Sequence, residues 1–214
     1  MTETNNIVQN KDTSLSRKMQ GKRSLANVEA CKLELKNELI EMFESFHEAV
    51  DKVNGIKTQF IPGSASRGFE ATIMQSAFAE SMMKKFGHKA FYGKGKRFIY
   101  LVKDYVILFK KLNNKGMPMN IKTGHVQDIM NQMQQLNLFA NTEYNDGPIL
   151  YFGYKKNNVG EFVDPQLIYI DEGKIVFTIS DDSNGLSKVV YSDNYKIDEP
   201  TVKENVKVKN KKIV

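Results

Sequence analysis

The apolar residues of this chain change their period partway along it, and that change limits the fold more than any other feature. Val28, Cys31, Leu35, Leu39, Met42, Phe46, Val50 and Val53 recur every three or four residues, which places them on one helical face. Ser24 is positioned to cap this helix and Asn54-Gly55 to stop it. Such a helix packs on a sheet or pairs with a second copy in a homodimer. The pattern does not continue into further heptads, which favours core packing. After a turn at Pro62-Gly63, a second helix is predicted over 66–86, with Phe69, Ile73 and Ala77 beside Met74, Phe78, Met82 and Phe86. Gly87 is its C-cap.

From there the helical period disappears. Segments 97–102 and 105–112 are rich in Phe, Tyr, Ile, Val and Leu around Lys103-Asp104, the pattern of a β-hairpin. A third helix is predicted over 123–138, with Val126, Ile129, Met130, Met133 and Leu136 facing the core. Strands follow at 149–155, 166–171 and 174–180, the last two joined through Asp171-Glu172-Gly173-Lys174. The order ααββαβββ predicts an α+β domain, a largely antiparallel sheet of about five strands with about three helices on one side. Residues 1–23 lack apolar periodicity and are expected to be a disordered leader. Residues 24–180 form the single domain. Residues 181–214 are a polar, lysine-rich tail in which Val189, Val190 and Tyr191 offer one edge strand.

Several classes are excluded at this stage. The single cysteine, Cys31, allows no intrachain disulfide and no thiolate metal cluster. No apolar run approaches the roughly 18 residues of a membrane span. The polar leader has no secretory h-region, so a cytoplasmic location is expected.

Charge is unevenly spread. Between Lys84 and Lys115 lie ten bases (Lys84, Lys85, Lys89, Lys94, Lys96, Arg97, Lys103, Lys110, Lys111, Lys115) and one acid, Asp104, giving +9. The end of the chain carries Lys203, Lys207, Lys209, Lys211 and Lys212 against Glu204, or +4. The remainder of a chain whose formal total is +6 is therefore at −7. This asymmetry suits a polyanionic partner, nucleic acid or an acidic protein; the plainer alternative is a solvated lysine surface.

Motifs for catalysis are incomplete. Pro62-Gly63-Ser64-Ala65-Ser66-Arg67-Gly68 resembles the opening of small nucleotidyltransferases, but no paired carboxylates follow to hold magnesium. The segment can still bind a phosphate through spare N–H groups at the helix start. Gly87 to Lys94 has the wrong spacing and order for a P-loop. Gly93-Lys94-Gly95-Lys96-Arg97 is better read as a basic loop that follows a phosphate backbone, with Phe91, Tyr92 and Phe98 nearby for base stacking or for the core. Glu70, Asp104 and Lys110 can be set on a PD-(D/E)xK nuclease scheme, yet Leu108 and Phe109 occupy the places of its acid. His47, His88 and His125 lie far apart, and no Gly-x-Ser-x-Gly elbow is present. Lys110 and Lys111 close a very apolar strand and must point to opposite faces. Gln127, Asn131, Gln132, Gln134 and Gln135 stud the third helix, where they read adenine edges or form its solvent face.

Arg67-Gly68-Phe69 at a helix start, the strand end Leu108-Phe109-Lys110-Lys111-Leu112, Thr123 before a helix carrying Gln132, Gly153-Tyr154, and the hairpin over 166–180 form a set of landmarks. They resemble those of a family of small bacterial proteins, some encoded near phage or other mobile-element genes. The resemblance covers about 66–180 and implies a defence, counter-defence or toxin–antitoxin setting. It also raises convergence of Arg67, Lys110, Lys111, Thr123, Gln132 and Tyr154 on one polar site.

The sequence thus predicts a non-enzymatic protein that binds nucleic acid through Lys94, Lys96, Arg97, Lys110, Lys111 and Arg67, with Thr123, Gln132 and Tyr154 as a further polar site. No catalytic residue, metal or cofactor is expected. The alternatives are an antitoxin-like inhibitor of an acidic protein, using Met74, Met82, Met83, Met130 and Met133 for apolar contact, and a degenerate nuclease.

Overall fold

The computed structural model describes residues 25–61, 63–66, 68–119, 123–132, 147–181 and 188–191; within these, the side chains of 94, 125, 128 and 188–191 are outside the description. The leader, Ser24 and most of the C-terminal tail fall outside it.

Helix α1 (Val28–Glu34) is capped by Asn27, whose Oδ1 accepts from the amides of Glu29 at 2.9 Å and Ala30 at 3.2 Å. The predicted single helix is broken at Leu35 and resumes as α2 (Lys36–Lys57), running through Gly55 instead of ending there. Helix α3 (Phe69–Phe86) ends on Gly87 at φ +59, the left-handed stop that glycine permits. It starts at Phe69 rather than at residue 66.

The sheet has seven strands in sequential order: β1 (Ala90–Tyr92), β2 (Phe98–Val102), β3 (Tyr105–Lys111), β4 (Ile149–Lys156), β5 (Phe162–Asp171), β6 (Lys174–Ser180) and β7 (Lys188–Tyr191). Two exceed the predicted count. β1 occupies part of what reads as a loop, and β7 is the edge strand of the tail. All neighbours are antiparallel except β3 and β4, which run parallel. Parallel neighbours need a crossover of a dozen or more residues, and residues 112–148 supply it. Within them lies α4 (Gly124–Met130). The α+β class and the largely antiparallel sheet are as the periodicity predicts. β5 begins earlier than expected because a bulge absorbs Pro165: the register shifts between Gly153 and Lys155, and Asp164 takes φ +52.

One expectation needs correction. The helices do not all lie on one side. Helices α1 to α3 cover the face bearing Tyr100, Ile107, Phe109, Leu150, Phe152 and Leu167. The other face, with Ile99, Leu101, Leu108, Tyr151, Ile168 and Ile170, is covered by Ile129 and Met130 of α4 and by Leu112 and Met117. A bridge between Leu112 and Pro118 folds that segment over the sheet. Every residue of β2 is buried, which accounts for the unbroken apolar run in its sequence. On the first face Phe78 of α3 stacks on Phe109 at 4.0 Å and on Phe152 at 5.3 Å. Helices α2 and α3 are joined at their outer edge by Lys85, which reaches Glu41, Glu44 and Glu48 at 3.1–3.3 Å.

Two glycines hold close approaches. A Cβ on Gly153 would fall 2.6 Å from the Leu112 side chain, and one on Gly147 would fall 1.9 Å from the Asp104 carbonyl oxygen. The second obstacle is backbone of the β2–β3 turn and cannot swing aside. Gly147→Ala is therefore expected to destabilise by about 2 kcal/mol or more, in the range of overpacking. Gly55→Ala, where a Cβ meets nothing within 4 Å, should stabilise α2 by roughly 0.5–1 kcal/mol. Chemical denaturation of the two variants checks both.

Candidate functional site

Strand register gathers the cations. The start of β2, the ends of β3 and β4 and the start of β5 share one rim of the sheet, because Ile99 pairs with Leu108, Lys111 with Tyr154 and Lys156 with Phe162. Lys96, Arg97, Lys110, Lys111, Lys155 and Lys156 all lie on it. Glu70 meets Lys156 there, and Asp164 meets Lys155 at 3.4 Å. Other lysines of the basic segment face acids elsewhere: Lys84 pairs with Glu80 at 2.8 Å, Lys85 with the three glutamates of α2, and Lys103 with Glu38 at 3.4 Å. Local neutralisation thus thins the charge block, and among the described residues no acid pairs with Lys89, Lys96, Lys110, Lys111 or Lys115.

The rim is divided by the sheet itself. Lys110 follows Leu108 onto the α4 face. Continuing the β2–β3 register brings Arg97 opposite it. Both are half-buried. Burial, and then the Arg97 charge, press the Lys110 ammonium below its ordinary range. No acid pairs with Lys110 among the described residues. Lys96 is exposed in the preceding turn, at φ +55.

Lys111 points to the helix face and meets Tyr154. Together with Ser66, Glu70, Lys156 and Phe162 they line a cleft of about 330 Å³ beneath the start of α3. Glu70 accepts from Lys156, and Lys57 lies 3.2 Å from it. The Lys156 bond foremost, with Lys57 adding to it against the opposing effect of burial, holds the Glu70 carboxyl below its ordinary range. Tyr154 is 2% exposed and packs on Phe46, Phe109 and Phe162. Burial, reinforced by Glu70, raises its hydroxyl to about 12, so it stays protonated and can donate.

The structure therefore joins Arg97 with Lys110, and Lys111 with Tyr154, on opposite faces. It does not bring Gln132 to either. Gln132 sits at φ +57, ending α4, and its buried amide is fully used: Nε2 donates to the carbonyls of Ile149 at 3.0 Å and Ile170 at 2.8 Å, and Oε1 accepts from the Ile149 amide at 2.8 Å. This closes the far end of β4 and β5, away from the rim. Thr123 caps α4, its Oγ1 accepting from the Val126 amide at 3.3 Å. Arg67 lies outside the described residues, as does the Lys94 side chain. Glu70, Asp104 and Lys110 are not assembled either. Glu70 and Lys110 face opposite sides of the sheet, and Asp104 is in the turn at its far end. Among the described residues no three His, Cys, Asp or Glu side chains form a metal-binding group. Cys31 is buried, which raises its thiol to about 11. Met74 and Met82 are core residues, unavailable for surface contact.

Lys155, Lys156 and Lys57 complete the rim and were not singled out from sequence. A signal existed: β4 ends Tyr154-Lys155-Lys156 as β3 ends Phe109-Lys110-Lys111. No family model, curated protein or solved structure matches the chain.

Gln132→Ala strands three buried backbone groups and is expected to cost at least about 2 kcal/mol in denaturation. The pH dependence follows from Glu70. A carboxyl lowered in the folded state contributes stability above its unfolded pKa and loses it as pH falls through the folded value. The thermal midpoint should therefore decline as pH drops below about 4.3, and less steeply in Glu70→Gln.

Proposed function

We propose that this is a non-enzymatic binding protein that takes a polyanion, nucleic acid by preference, on the α4 side of the rim through Lys96, Arg97 and Lys110. The observation that carries this reading is the pair of like charges facing each other across β2 and β3. Two half-buried cations repel, and Lys110 loses hydration without gaining an acid partner among the described residues. The lost hydration of Lys110 costs the free protein stability, and a bound phosphate backbone would offset it. Affinity would come from phosphate neutralisation and counterion release; the basic tail at Lys203–Lys212 would add to it. A cytoplasmic setting near phage or mobile-element functions fits this reading. Among the described residues no helix is long and apolar enough to cross a membrane.

The test is fluorescence anisotropy with labelled single- and double-stranded oligonucleotides across a salt series. The logarithm of affinity is expected to fall linearly with the logarithm of salt, with a slope near −0.9 per phosphate contacted on duplex and about −0.7 on single strands. Arg97→Ala with Lys110→Met should reduce that slope by about two contacts. Lys110→Met alone should raise the thermal midpoint while weakening binding, because it removes a poorly solvated charge. Affinity indifferent to salt would sink the mechanism, and stoichiometric capture of an acidic protein free of nucleic acid would move the partner to that class.

A further inference from the structure

We infer that the cleft between the start of α3 and the ends of β3 and β4 is a second, separate binding site, for a phosphate monoester group. It lies on the opposite face of the sheet from Arg97 and Lys110 and does not depend on the polyanion reading. Two independent features point to it.

The first is the helix start. Helix α3 runs for 18 residues and has no side-chain cap at Gly68. The Phe69 amide donates to the Ser66 carbonyl at 3.1 Å, while the amides of Glu70 and Ala71 have no acceptor among the described residues. Both residues line the cleft. Uncapped amides and the helix dipole favour an anion there. The second is Tyr154. Its ring is locked in the core and the residue is 2% exposed, yet it lines the cleft and its hydroxyl has no hydrogen-bond partner among the described residues. With the ring fixed in the core, the hydroxyl is held at the cleft wall, where it can donate to an entering ligand.

Charge selects the ligand. Lys111 and Lys156 line the cleft with one carboxylate, Glu70, which Lys156 and, from the end of α2, Lys57 already engage. The surplus of two positive charges matches a phosphate monoester, which carries about −1.5 to −2 at neutral pH. Lys111 has no ion pair among the described residues and is free to approach it. At about 330 Å³ the cleft exceeds the phosphate alone and sits at the small end of ligand pockets, which run from about 300 to 1,000 Å³. Phe162 and Ala65 provide an apolar wall for whatever carries the group. That carrier is either a small phosphorylated metabolite or the phosphorylated end of a nucleic-acid strand.

Calorimetry at constant ionic strength tests the site. The probes are inorganic phosphate, and a short oligonucleotide with either a 5′-phosphate or a 5′-hydroxyl. Phosphate is expected to bind the intact chain, and to bind Tyr154→Phe about tenfold more weakly or worse. The thermal midpoint of Tyr154→Phe should not change, since the hydroxyl bonds to nothing among the described residues. Lys111→Gln should weaken phosphate similarly. Lys110→Met should leave it unaffected, which separates this site from the polyanion surface. Binding of phosphate with no preference between the two oligonucleotides assigns a small metabolite; tighter binding of the 5′-phosphate form assigns a strand end. If phosphate does not bind and the 5′-phosphate adds nothing, or if Tyr154→Phe binds phosphate as the intact chain does, the inference is overturned.

Discussion

Burial of the central strands on both faces is the constraint from which the rest follows. β2, β3 and β4 carry apolar side chains upward and downward alike, so the chain must provide cover twice. Helices α1 to α3 do this on one side, with Phe78 stacked on Phe109 and Phe152. On the other, α4 and the Leu112–Pro118 segment close the sheet. With both faces occupied, a strand has room for a charge only where it runs out of cover. That is why the lysines collect at strand ends, and why Lys110 and Lys111, adjacent in sequence, serve opposite sides of one rim.

The parallel pairing of β3 and β4 sets the detail of that rim. It places Lys111 beside Tyr154 and, one row back, Lys110 beside Gly153. Gly153 leaves the space into which Leu112 turns, so the chain leaves the end of β3 directly over the sheet and starts the crossover. At the far end Gln132 ties the end of α4 to the first residue of β4 and to Ile170 of β5. A residue that reads in sequence as one of a row of solvent glutamines is in fact the hydrogen-bonded closure of the second layer. Its burial depends on a left-handed turn that the helical pattern does not reveal.

Electrostatics in this protein is mostly local. The acidic face of α2 engages Lys85 and Lys103, while Lys52 and Lys84 together draw Glu80 down to about 2. Exposed pairs of this kind add little stability, but they decide which lysines remain for a partner. The charge total of the basic segment overstates its binding surface for that reason. On the rim two groups with different surroundings lie on opposite faces: Arg97 opposite Lys110 on the α4 side, and Lys111, Tyr154 and the start of α3 on the other.

Periodicity alone carried the elements, because spacing of three or four against alternation is a local property of the chain. The α2 and α3 faces, the β2–β3 hairpin, the β5–β6 hairpin and the Gly87 stop were all legible from it, and with them the α+β class. β1 was not legible, since three residues between a helix stop and a basic turn are too few to show a period. The coverage of the second face was not legible either, because a fully buried strand looks the same whichever elements lie above and below it. Position within the sheet decided the site. Sequence supplied Arg97, Lys110, Lys111 and Tyr154 as separate residues; only the register of four strands, and the uncapped start of α3 beneath them, determined which of these share a surface. Those contacts join residues tens of positions apart, and no local pattern encodes them.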